Sequence, residues 1–129
     1  FVFAPEHLNI IHREICVRNG FKLFICPKRQ LEKSKQNKKG VWIKEEDTVD
    51  ETIIWFGNLM MRHPDVKFIC LVTGDDDYVP LMQEAPKYGI KRALAPPTIN
   101  SLSRSKGLIR CVDKHPKTLK KMILRLDEV

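Results

Sequence analysis

The sequence predicts an α/β fold, a mostly parallel central sheet with helices on both faces, and three observations lead to it. Its 129 residues, 43% hydrophobic and 30% charged, suffice for a single domain over 1–129 with its own core. Apolar runs of strand length alternate with stretches of helical period along the whole chain. Gly and Pro, at 6 and 8 residues, punctuate these runs without dominating them, so collagen-like and disordered readings fail. No window approaches the roughly 18 uninterrupted apolar residues of a membrane span. A soluble domain is expected.

Residues 1–4 form a short apolar run, after which Leu8, Ile11, Ile15 and Cys16 recur at helical spacing until Asn19-Gly20 stops the helix. A strand follows over 21–26 and Pro27 closes it. Residues 28–40 are almost purely polar and predict a basic loop, which Val41-Trp42-Ile43 closes as a short strand. A helix starts at Thr48, with Glu51 completing a capping box and Ile53, Phe56, Gly57 and Met60 on one face; Pro64 ends it. The run 66–72 has the composition of a central buried strand and stops at Thr73-Gly74. Val79-Pro80-Leu81-Met82 opens another helix with proline in the first turn, and Pro86 ends or kinks it. After Tyr88-Gly89 come a strand over 90–94, a helix over 101–107, and a C-terminal helix from 116 to about 127 with Leu119, Met122, Ile123 and Leu126 on one side.

Lys and Arg number 23 against 16 Asp and Glu, a net charge of +7 that suggests a polyanionic partner, with nucleic acid the commonest one. Solubility alone also accounts for such a charge. The densest basic tract is Lys28, Arg29, Lys33, Lys35, Lys38 and Lys39 against a lone Glu32; with Lys44 it forms the candidate RNA-binding set. Cys16, Cys26, Cys70 and Cys111 stand in apolar stretches without a CxxC pair, which predicts buried thiols and a reducing, cytoplasmic compartment. His7, His12, His63 and His115 show no metal spacing, and no GxSxG, GxGxxG or P-loop is present.

The chemistry concentrates in Asp75-Asp76-Asp77, directly after the most apolar strand, because ligands of parallel sheets bind beyond the carboxyl ends of the strands. Alternate residues of an extended segment project the same way, so Asp75 and Asp77 converge while Asp76 faces the other side or solvent. Two carboxylates held close repel one another, and a divalent cation offsets the repulsion. Asp50, in the first turn of the preceding helix, supplies a third ligand if the loop from Lys28 to Ile43 returns the chain to that edge. The bland alternatives are a solvated turn or helix cap for the triple aspartate and a helix-dipole role for Asp50.

Thr73-Gly74-Asp75-Asp76-Asp77-Tyr78-Val79-Pro80-Leu81, with Lys87-Tyr88-Gly89-Ile90-Lys91 after it, resembles the signature of NYN domains in the PIN-like nuclease superfamily. Thr48-Val49-Asp50 is similar to that family's Val-Asp element, and Ser101-Leu102 with the run toward Leu108-Ile109 to its final helix and strand; the resemblance covers roughly 20–113. It implies a PIN-like three-layer sandwich and a metal-dependent ribonuclease: Asp50, Asp75 and Asp77 hold Mg²⁺ or Mn²⁺, Thr73 orients the site, and single-stranded RNA is the substrate. One departure concerns the family's first catalytic aspartate, often Asp-x-x-Asn at the end of the first strand. Either Glu6 and Asn9 take those catalytic and orienting places, or that strand lies upstream of this chain's first residue. The rival reading is a noncatalytic RNA-binding or scaffold domain of the same fold that has lost a metal ligand; a phosphatase-like or receiver-like domain fits less well. No membrane partner is expected, and a homodimer or protein partner stays open.

Overall fold

The computed structural model describes residues 1–98 and 105–126, and within them the chain is a mixed α/β protein. It divides into two compact units, Phe1–Ile53 and Ile54–Val129, and the division falls inside a continuous helix.

In the first unit, β1 (Val2–Pro5) and β2 (Leu23–Cys26) pair in parallel with Val2 opposite Leu23 and Ala4 opposite Ile25. This register stacks Phe3 on Phe24 at 5.1 Å and buries Ala4 and Cys26. Helix α1 (Ile10–Arg18) connects them; Asn9 caps it by accepting from the Ile11 N–H at 2.8 Å, and Gly20 leaves it with φ +80°. The expected apolar face of α1 is present in sequence but none of its residues is buried.

The basic segment 28–40 is a strand rather than a loop. β3 (Arg29–Gln36) runs antiparallel to β4 (Trp42–Glu46), with a register irregularity between Gln30 and Lys35. Opposite charge across the ladder replaces apolar burial: Arg29 stands opposite Glu46, and the Gln30 side chain donates to Glu45 at 2.8 Å. The turn is specified locally. Asn37 N–H donates to the Val41 carbonyl, its side chain accepts from Lys39 and Val41, and Gly40 takes φ +76°, the pattern of a three-residue hairpin loop.

Helix α2 (Val49–Met61) starts as predicted but without the capping box. The Thr48 hydroxyl donates instead to the Pro27 carbonyl at 2.6 Å, Glu51 pairs with Arg29, and Asp47 accepts from the Val49 N–H.

In the second unit, β5 (Phe68–Leu71) and β6 (Lys91–Leu94) form a parallel ladder with Phe68 opposite Lys91 and Leu71 opposite Leu94. β5 is not the buried central strand expected: β6 is its one ladder partner among the described residues, and Phe68 and Cys70 are exposed. A 3₁₀ turn (Asp76–Tyr78) leads into α3 (Val79–Glu84), which has proline in its first turn. Pro86 sits in a second 3₁₀ turn (Ala85–Tyr88) that ends the helix, and Gly89 closes it at φ +69°. Helix α4 (Lys106–Cys111) contains Leu108 and Ile109, which the resemblance places toward a final strand; Ser101 and Leu102 lie outside the described residues.

The C-terminal helix expected from 116 does not form. His115 Nδ1 accepts from the Lys117 and Thr118 N–H groups, Leu119 turns the chain at φ +60°, and the returning segment bonds to β6 through Leu94 N–H to Met122 and Leu124 N–H to Leu94. The unpaired edge of β6 takes the hydrogen bonds that a helix would have kept internal. The core of this unit gathers Leu81, Met82, Ala85, Leu94 and Leu108, all essentially without exposure, and Gly57 brings α2 onto Leu81 so closely that a Cβ there would stand 2.9 Å from its methyl carbons.

Candidate metal centre

Residues 73–77 leave β5 in a conformation fixed by their own side chains. Thr73 Oγ1 accepts from the Asp75 N–H at 3.1 Å, and Asp75 Oδ1 accepts from the Asp77 N–H at 2.9 Å. The first bond holds the start of the loop, and the second caps the 3₁₀ turn through one Asp75 oxygen. Asp76 opens the 3₁₀ turn rather than continuing an extended segment, and it has a partner that the sequence does not mark. Its two oxygens accept from Gly107 N–H at 3.3 Å and Leu108 N–H at 3.1 Å, at the start of α4. The buried Ser105 hydroxyl donates to the Gly74 carbonyl at 2.6 Å. A Cβ on Gly107 would lie 3.0 Å from Val79 and 3.2 Å from Asp76, so glycine is what lets α4 approach this loop. Nothing local in the sequence marks Asp76, Ser105 and Gly107 as a group, because about thirty residues separate the partners.

Asp50 occupies the first turn of α2, the helix that Gly57 seats on Leu81. One carboxylate oxygen each of Asp75 and Asp77 can be chosen so that the two lie within 4.8 Å of one another, and both residues are exposed, as is Asp50. Oxygens on opposite sides of a cation at about 2.1–2.5 Å are about 4–5 Å apart, so this spacing suits one hard divalent ion. The donor set, all carboxylate and open to water, suits Mg²⁺, Mn²⁺ and Ca²⁺ alike and lacks the thiolate or imidazole that zinc prefers.

Glu6 and Asn9 stand in the first unit, Glu6 just after β1 and Asn9 at the cap of α1. Glu6 Oε1 takes a long 3.4 Å bond from the Lys28 N–H, its carbonyl accepts from Arg13, and the Asn9 side chain is spent on capping α1.

The basic candidates fall into two sets. Lys28 pairs with Glu45 at 3.8 Å, Arg29 bridges Glu46 and Glu51, and Lys35 pairs with Glu46. The Arg29 guanidinium is held above its ordinary value by hydrogen bonds to Glu51 and Glu46, and Glu46 is held below its own by Lys35 and Arg29. Lys33, Lys38, Lys39 and Lys44 make no ion pair among the described residues. No described helix is long and apolar enough to cross a membrane. Comparisons with protein-family models, with curated proteins and with solved structures find no match for this chain.

Proposed function

We propose that this chain is a metal-dependent ribonuclease of the NYN type that hydrolyses phosphodiester bonds of single-stranded RNA. The observation that carries the reading is the approach of the Asp75 and Asp77 carboxylates to within 4.8 Å of one another just after β5, with Asp50 proposed as the third ligand. These three residues would hold Mg²⁺ or Mn²⁺, which when bound supplies Lewis acidity toward phosphate and an activated water. Thr73 fixes the backbone of Asp75, and Asp76 ties the loop to α4, so the two ligating aspartates are held rather than left mobile. The unpaired lysines of the β3–β4 hairpin supply the attraction for the RNA backbone, which the bare aspartates would repel. The two parallel ladders are in keeping with a PIN-like sandwich, and four free cysteines with a cytoplasmic setting.

The experiment is hydrolysis of a labelled single-stranded RNA with and without Mn²⁺. The intact chain cleaves only with the ion, and Asp75→Asn abolishes cleavage while RNA binding persists. The absence of an aspartate before Asp47 and the use of the Asn9 side chain as the cap of α1 favour a second reading, a noncatalytic RNA-binding or scaffold domain. RNA binding without cleavage under any divalent ion would select it.

A further inference from the structure

Trp42 is 67% exposed on the first residue of β4, an unusual position for the largest apolar side chain, and Val41 beside it is 55% exposed. Trp42 has no ring or cation contact among the described residues. Around it the hairpin carries cations that are not neutralised. Lys44, two residues along the same strand, shares its face, and Lys38 and Lys39 occupy the turn that Asn37 and Gly40 fix. None of the three has an ion pair among the described residues, whereas the Arg29, Lys35, Glu46 and Glu51 network at the other end of the ladder is internally compensated.

We infer that the tip of the β3–β4 hairpin is a stacking platform for single-stranded RNA, with Trp42 lying against an unpaired base and Lys38, Lys39 and Lys44 on the flanking phosphates. The class of ligand rests on the proposed ribonuclease function; the location and the residues rest on the hairpin. An exposed aromatic ring on a hairpin that also carries lysines in its turn and on the same strand face is complementary to a chain that presents a π-face and a phosphate at every step. A duplex keeps its base faces stacked internally, so the same surface discriminates against it. A purely apolar protein partner covering the hairpin tip would have to desolvate three ammonium groups that have no ion pair among the described residues, a cost that RNA turns into an attraction.

The test uses the full chain without divalent ions, so that the probe stays intact, and a labelled single-stranded oligoribonucleotide beside a duplex of the same sequence. In a Trp55→Phe background the emission that remains belongs to Trp42, and single-stranded RNA quenches it. Trp42→Ala weakens single-strand binding about tenfold, within the range for loss of one stacked base, while Trp42→Phe retains most of it. Replacing Lys38, Lys39 and Lys44 by Gln lowers the slope of log affinity against log salt by about 2, from about 0.7 per phosphate contact. Unchanged affinity in Trp42→Ala, equal binding of the duplex, or self-association of the chain that Trp42→Ala abolishes without affecting RNA would each overturn the inference. Mn²⁺-dependent cleavage with unchanged Trp42→Ala affinity would sink the platform and leave the ribonuclease standing. Quenching without cleavage under any ion would do the reverse.

Discussion

The two units are held by different physics. Among the described residues, the first unit buries only Ala4 and Cys26 of its apolar side chains, while the second buries a continuous set from Met61 through Leu81, Met82, Leu94 and Leu108 to Val112. The first is instead organised by backbone ladders, by the Asn9 cap and by the ion pairs of β3 and β4. The contrast follows from composition: Leu31 is the one apolar residue in β3, whereas β6 and α3 are rich in them. A unit without much core keeps its charged and aromatic groups outward, which suits a binding surface. A unit with a core can hold an irregular loop such as 73–77 in one conformation.

The most severe way to break this comparison is a cavity in the second unit. Leu94 is fully buried on β6, and Leu94→Ala is expected to cost about 2–5 kcal/mol in chemical denaturation. A loss below 1 kcal/mol would mean that the core is not where that unit's stability resides.

Next in size is the Arg92–Asp113 pair. The guanidinium donates to both Asp113 oxygens, at 2.9 and 3.1 Å, and the Arg92 N–H adds a third bond at 2.8 Å. The hydrogen bonds from Arg92 hold the Asp113 carboxyl below its usual range. A carboxyl lowered on folding contributes stability that is full above its unfolded pKa of about 3.9 and is lost as pH falls through the folded value. Asp113→Asn is expected to cost about 2 kcal/mol at pH 7, with the difference from the parent chain closing below about pH 4. Urea melts at the two pH values measure it, and a difference independent of pH would reject the charge as its cause.

Asp76 separates scaffold from ligand within the triple aspartate. Asp76→Ala removes the acceptors for the Gly107 and Leu108 N–H groups and is expected to lower stability by about 1 kcal/mol in thermal melts. Asp77→Asn, with no carboxylate bond to α4, is expected to leave the melting temperature close to that of the parent. The smallest effect belongs to α1. Ile10 is 71% exposed, and Ile10→Ser is expected to shift stability by no more than about 0.5 kcal/mol. A larger loss would show that this face is covered in solution.

The sequence made some of this legible and concealed the rest for identifiable reasons. Asn9, Pro80, Pro86 and Gly89 act locally, so the starts and stops of α1 and α3 follow from them. Asp75 and Asp77 were readable as neighbours because they stand two residues apart where the apolar run 66–72 ends. β3 was hidden because its pairing energy comes from cross-strand charge rather than alternating apolarity, although Asn37-Lys38-Lys39-Gly40 spells its turn. The segment after Pro116 has true helical periodicity, yet the open edge of β6 competes for its backbone, and that edge cannot be read from the segment itself. Asp76 and Ser105 act on partners about thirty residues away.

The central claim is that Asp50, Asp75 and Asp77 together hold one divalent cation. Mn²⁺ titration followed by electron paramagnetic resonance tests it directly, because free and bound ion are counted separately. One ion bound per chain is expected for the unaltered protein, with that binding lost in Asp77→Asn and in Asp50→Asn while near-ultraviolet circular dichroism is unchanged. Equal Mn²⁺ affinity in the parent and both variants would contradict the account.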